Sequence, residues 1–134
     1  MEFNNPSEIV KDLTFNEAAQ EKIMSGVKKL TNAVSSTLGP SGKCVIYEDA
    51  LGKPIITKDG VTVAQSVVLM DPIENIGATL IKEAAQKTVK EAGDGTTTST
   101  VLAHAILELY YDFCNEDCNV RDLKKSINDT KEKV

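Results

Sequence analysis

The stretch from Asp71 to Gly93 constrains the fold more than any other, because its residue types mark both ends of one helix. Asp71 can accept from the first free amides, Pro72 suits the first helical position, and Glu74 adds negative charge to the first turn. Gly93 supplies the left-handed stop. Between these ends Ile73, Ile76, Leu80 and Ala84 recur at spacings of three and four, which predicts an inward-facing apolar stripe. Such a stripe must be covered by other elements of the chain.

Those elements are also largely helical. Ile23, Val27, Leu30, Val34 and Leu38 repeat at helical spacing, with Thr14 or Asn16 as cap, Glu17 in the first turn and Gly39-Pro40 as the expected end. Thr96 to Thr98 open another helix, whose predicted core face is Val101, Leu102, Ala105, Leu109 and Phe113. A final helix starts at Asn119 and turns Leu123 and Ile127 inward. Lys43 to Glu48 and Pro54 to Thr57 read as two short strands joined by Asp49 to Lys53, a loop of hairpin length. Val61 to Val68 has the length of a short buried helix, although its β-branched residues leave a strand open. Asp12 to Phe15 is a candidate short strand, and Met1 to Lys11 a loose start. The expected fold class is therefore mainly α, a helical bundle with a small β-hairpin and no internal repeat.

A chain of 134 residues supports one core, burying roughly two-thirds of its unfolded surface. A net charge of −5 gives no support to nucleic-acid binding, and the absence of a long apolar run or basic leader makes the cytoplasm the default compartment, with no membrane role. Cys44, Cys114 and Cys118 are an odd number with one distant histidine, His104, a poor basis for zinc. Reduced thiols are the plain reading and a Cys114–Cys118 disulfide the alternative. His104 has no evident Asp or Ser partner, so a packing or surface role is the simplest.

Gly93-Asp94-Gly95-Thr96-Thr97-Thr98 carries the clearest chemistry. Gly95 allows a sharp turn and close backbone approach to a phosphate, the following amides point forward as helix N-terminal donors, and Asp94 offers a hard oxygen to Mg²⁺. By itself the stretch is more simply a polar turn with a threonine cap. Thr37-Leu38-Gly39-Pro40 and Ile56-Thr57-Lys58-Asp59-Gly60 shift the balance.

These three motifs, in this order and near these spacings, resemble the nucleotide site of the group I, GroEL-like chaperonins. The resemblance continues through Asp71 to Ala78 and Asn119 to Ile127, and covers nearly everything from about Phe15 onward. It favours helix for Val61 to Val68. It implies the amino-terminal half of an equatorial, ATP-binding domain over residues 1–134, with ATP, Mg²⁺ and K⁺ as cofactors. Asp94 corresponds to the Mg²⁺ carboxylate, and Gly95, Thr96, Thr97 and Thr98 to the phosphate cradle. Thr37, Leu38, Gly39 and Pro40 correspond to the loop on the other side of the nucleotide, and Lys58 to a residue near the phosphates. The carbonyls of Thr37 and Lys58 correspond to those that hold potassium. Asp59 corresponds to the catalytic carboxylate beside the γ-phosphate, although an isolated Asp-Gly pair is more simply a turn.

The same resemblance implies other chaperonin subunits as partners in a ring, with the hairpin reaching into the neighbour; packing on its own helices is the alternative. The second equatorial half, the intermediate domain and the apical domain that binds unfolded polypeptide and co-chaperonin lie outside this sequence. Efficient ATPase activity and client encapsulation are accordingly not expected of this chain alone. A piece of a longer chaperonin and a truncated, virus-borne relative are both compatible with the pattern. So is a non-enzymatic interaction protein that inserts into a host chaperonin ring. Asp112, Glu116 and Asp117 stand where the family is small or basic, which disfavours close ring-to-ring contact, and Gln65, Val68 and Met70 replace charged residues.

Overall fold

The computed structural model describes residues 16–113 and 119–134. In chain order these form α1 (Asn16–Ser35), β1 (Val45–Glu48), β2 (Pro54–Thr57), α2 (Gly60–Ser66), α3 (Pro72–Ala92), α4 (Thr96–Phe113) and α5 (Val120–Lys133). The mainly helical class with one antiparallel hairpin is as expected. The proposed strand at Asp12 to Phe15, the loose start and the Cys114–Cys118 pair lie outside the described residues, as do Glu116 and Asp117; Cys44 is a free, exposed thiol.

Helices α1, α3 and α4 pack on one another and α2 plugs the end of the layer. Val27, Leu30 and Val34 from α1 meet Val63 and Ala64 from α2 and Ala78 and Ile81 from α3 in one buried cluster. Leu30 and Val34 are fully buried, as the α1 periodicity requires. Leu38 was expected on that stripe but is 49% exposed, because α1 stops at Ser35, ahead of Gly39-Pro40. The cause is local: Ser35, Ser36 and Thr37 hydroxyls each donate to the carbonyl three residues back, and the Thr37 and Leu38 amides bond to Val34 and Ser35 in tightened turns.

The ends of α3 follow the sequence. Asp71 Oδ1 accepts from the Ile73 and Glu74 amides at 2.8 and 3.2 Å, Pro72 opens the helix, and Gly93 closes it at φ 77° with its N–H on the Val89 carbonyl at 2.8 Å. Its inward face differs. Gly77, Ala78, Ile81 and Ala85 are buried, whereas Ile76 and Leu80 are 53% and 54% exposed and Ala84 is exposed too; of the predicted stripe only Ile73 is half-buried. The reason is close helix approach, since a Cβ on Gly77 would lie 2.2 Å from the Ile23 carbonyl oxygen and only small residues fit that seam. Lys22 and Lys29 of α1 clamp the same seam from outside, on Asp71 at 2.8 Å and Glu74 at 2.6 Å.

Helix α4 departs in the same way. Thr96 and Thr100 are buried and Ala103 packs on the core, while Leu102, Leu109 and Phe113 are exposed; Val101 and Ala105 are half-buried. An apolar groove of about 640 Å³ separates this face from α5, lined by Leu102, Ile106, Ile127 and Val134 among others. No residue of α5 is buried: Leu123 is half-buried and Ile127 is 44% exposed. His104 is half-buried on α4, and its Nε2, with Thr31 and Thr100 Oγ1, is buried without a hydrogen-bond partner.

In the hairpin Val45 pairs with Thr57 and Tyr47 with Ile55 on the half-buried face, leaving Ile46 and Ile56 paired outward. Asp49 Oδ1 accepts from the Leu51 and Lys53 amides, and Gly52 at φ 75° completes the turn. Among the described residues the sheet has these two strands.

Candidate functional site

The short link after β2 is pinned by Asp59. Its N–H donates to Thr57 Oγ1 at 3.0 Å and its carboxylate caps α2. Oδ2 accepts from the Thr62 amide at 2.8 Å and from the Thr62 hydroxyl at 2.5 Å, while Oδ1 accepts from the Val61 amide at 3.4 Å. The Thr62 hydroxyl, followed by the Thr62 amide, holds the Asp59 carboxyl below its usual range; partial desolvation opposes them and the Val61 amide adds a smaller lowering. Asp59 is thus an ionised side chain whose orientation is fixed by the helix it starts.

Gly60 brings this carboxylate to the other half of the site. It is buried, and a Cβ there would lie 2.2 Å from Thr97 Oγ1 and 3.5 Å from Val34 Cγ1. The first turn of α2 therefore rests its bare backbone directly on the Thr97 side chain at the start of α4. On the α4 side Asp94 Oδ1 accepts from the Gly95 amide at 2.6 Å, and Gly95 adopts φ 88°, a left-handed conformation that costs glycine little. The first intrahelical bond runs from the Ser99 amide to the Gly95 carbonyl at 2.9 Å, so the Thr96, Thr97 and Thr98 amides precede it and point out of the helix start.

These segments enclose an open cleft of about 300 Å³ lined by Leu38, Lys58, Asp59, Gly60, Asp94, Gly95, Thr96, Thr97 and Thr98. All except Gly60 were singled out from the sequence. Thr37, Gly39 and Pro40 adjoin Leu38 but do not form the walls: Thr37 Oγ1 is turned back on the Val34 carbonyl at 2.7 Å, Gly39 is exposed at φ 78°, and Pro40 is exposed. Gly60 stood in the Ile56 to Gly60 motif without a role of its own, and sequence reasoning missed Thr62. The signal was present as Asp-Gly-Val-Thr, an acidic cap with a hydroxyl three positions on.

The donor set suits an anion together with a hard cation. Three unpaired amides and the Lys58 ammonium favour a phosphate, yet Asp59 and Asp94 would repel a polyphosphate unless a divalent ion stood between. Two carboxylates are few for such an ion, which would complete its shell with phosphate oxygens and water, as magnesium commonly does. Among the described residues no cluster of three or more His, Cys, Asp or Glu side chains could hold a metal, and no helix is long and apolar enough to cross a membrane.

Residues 30–134 match the model of the TCP-1/cpn60 chaperonin family. Two solved structures of the chaperonin gp146 from the bacteriophage EL 2 (Pseudomonas aeruginosa), both in the presence of ATP-BeFx, superpose with a TM-score of 0.68 at 39% identity. They cover 74% and 75% of this chain, which spans 18% of the gp146 chain. The chain belongs to the TCP-1/cpn60 chaperonin family, and its fold is that of an equatorial-domain-like helical unit.

Proposed function

We propose that this chain is the nucleotide-holding and subunit-joining portion of a chaperonin, with the cleft between α2 and α4 taking the phosphates of Mg-ATP. One observation carries the reading: three segments far apart in sequence, around Leu38, Lys58-Asp59 and Asp94 to Thr98, converge on one polar cleft. In this reading the Thr96 to Thr98 amides and Lys58 bind phosphate oxygens, Asp94 orients the magnesium, and Asp59 faces the terminal phosphate, where it can orient water. Magnesium supplies charge neutralisation of the phosphates. Potassium at the Thr37 and Lys58 carbonyls would add to that neutralisation.

The cleft is at the lower end of ligand-pocket volumes, roughly 300–1,000 Å³, which suits a polyphosphate better than a whole nucleotide. Weak binding is accordingly expected of the isolated chain, and slow turnover because the rest of the site lies outside it. The similarity to gp146, solved in the presence of ATP-BeFx, supports the ligand class. The hairpin, whose edges find no third strand among the described residues, is the segment proposed to pair across subunits.

Calorimetric titration with ATP, with and without magnesium, together with a phosphate-release assay tests this reading. Magnesium-dependent binding with little turnover is expected. No binding under any condition would overturn the nucleotide assignment, and robust turnover abolished by Asp59→Ala would show that the site is complete within this chain.

A further inference from the structure

We infer that Thr62 is a positioning residue for the phosphate cleft, holding the Asp59 carboxylate in one orientation so that its charge stays off the phosphate-binding amides. The inference rests on the nucleotide reading above and concerns a residue that does not line the cleft. Thr62 contributes two donors to a single oxygen: its amide at 2.8 Å and its hydroxyl at 2.5 Å both meet Asp59 Oδ2. Oδ1 keeps one long contact, the Val61 amide at 3.4 Å, and is the oxygen able to accept a further hydrogen bond. The carboxylate is therefore divided, with one oxygen held by two donors of α2 and the other by one long contact.

The division matters because of what stands opposite. Gly60 lets α2 lie against Thr97, so Asp59 sits one residue from the contact with the α4 start. An aspartate released from its cap has other side-chain rotamers. Those that swing toward α4 would compete with a phosphate for the Thr96 to Thr98 amides and repel its charge. The helix start alone holds the carboxylate less firmly, since without the hydroxyl Oδ2 keeps a single donor, the Thr62 amide. A terminal phosphate, nearest Asp59 in this arrangement, feels the difference most, so Thr62 tunes the preference for a triphosphate over a diphosphate.

The test has two arms on the full chain, with Thr62→Val and Thr62→Ala removing the hydroxyl and Thr62→Ser keeping it; circular dichroism confirms that each is folded. Without ligand, three-bond NMR couplings report the Asp59 side-chain rotamer. One rotamer is expected in wild type and Thr62→Ser, and averaging in the variants lacking the hydroxyl; a single rotamer in those variants overturns the inference. With ligand, loss of the hydroxyl should weaken Mg-ATP relative to Mg-ADP by about three- to tenfold. Serine should restore the preference, and the effect should vanish in an Asp59→Asn background. Persistence of the loss in that background would also overturn the inference, because it would show that Thr62 acts other than through Asp59. Failure of wild type to bind either nucleotide would refute the nucleotide reading, and with it the phosphate role of Thr62, whatever the rotamers show.

Discussion

Gly26 on α1 and Gly77 on α3 are reciprocal contacts: a Cβ on Gly26 would lie 1.8 Å from the Glu74 carbonyl oxygen, and one on Gly77 would lie 2.2 Å from that of Ile23. Each helix thus presents bare backbone to the backbone of the other. Alanine at either site gains about 1 kcal/mol of helix propensity in isolation. The clash is with backbone, which cannot rotate away, so the net effect is expected to be a loss of about 1–3 kcal/mol or more. Urea unfolding of Gly26→Ala, Gly77→Ala and the double variant measures it. The double variant should lose less than the sum, because one separation of the helices relieves both clashes.

Gly60→Ala addresses the cleft itself. Its methyl would displace Thr97 or push α2 off α4, and either movement shifts Asp59 relative to the phosphate-binding amides. Folding stability should fall by about 1–3 kcal/mol. Adding Thr97→Ala should recover much of that stability without recovering Mg-ATP affinity, since the cradle then lacks a hydroxyl. Recovery of both would mean that Thr97 serves packing alone.

Asp94→Ala removes the carboxylate proposed for the metal and the 2.6 Å bond from the Gly95 amide. The site is exposed, so the stability change should stay within roughly 0.5–2 kcal/mol, the range for a lost cap or turn interaction. Magnesium should then cease to enhance nucleotide binding. Unchanged magnesium dependence would return the loop to a purely structural role.

Acid should loosen the α1 to α3 seam. Asp71 and Glu74 are held below their ordinary values of 3.8 and 4.5, chiefly by side-chain hydrogen bonds from Lys22 and Lys29 respectively. Carboxyls depressed on folding stabilise the native state fully above their unfolded values, and that contribution fades as pH falls through the folded ones. The urea midpoint should therefore drop from about pH 4.5 downward, and Glu74→Gln should drop less steeply than wild type. Parallel acid limbs would assign the loss to other groups.

Hydrogen exchange decides what the hairpin does. A two-stranded ribbon with Ile46 and Ile56 facing outward is marginal without a third strand. Fast exchange in the isolated chain and protection on mixing with a bacterial chaperonin are expected. Slow exchange in a proven monomer, unaffected by the partner, would mean that it packs only on its own helices.

The sequence made the element order legible because the punctuation is local. Asp71, Pro72 and Gly93 act within a turn of themselves, and Asp49 and Gly52 close the hairpin the same way. Which face of α3 and α4 turns inward was not legible. Periodicity weighs bulk and pointed to Ile76, Leu80, Leu102 and Leu109, whereas the seams select Gly77, Ala78 and Thr100, whose value lies in how near another backbone can come. The cleft residues were readable as motifs, yet the packing role of Gly60 and the part of Thr62 were not, because one works by lacking a side chain and the other through its neighbour.

The uncovered face of α4 affects how this protein behaves with an environment-sensitive dye. Leu102 and Ile106, with Ile127 and Val134 across the groove, give such a dye an apolar slot in the native state, and Leu109 and Phe113 add exposed apolar surface on the same helix. Fluorescence should already be high at room temperature, before the core opens. A thermal shift followed by dye emission would then start from a high native baseline, on which opening of the core appears as a smaller rise.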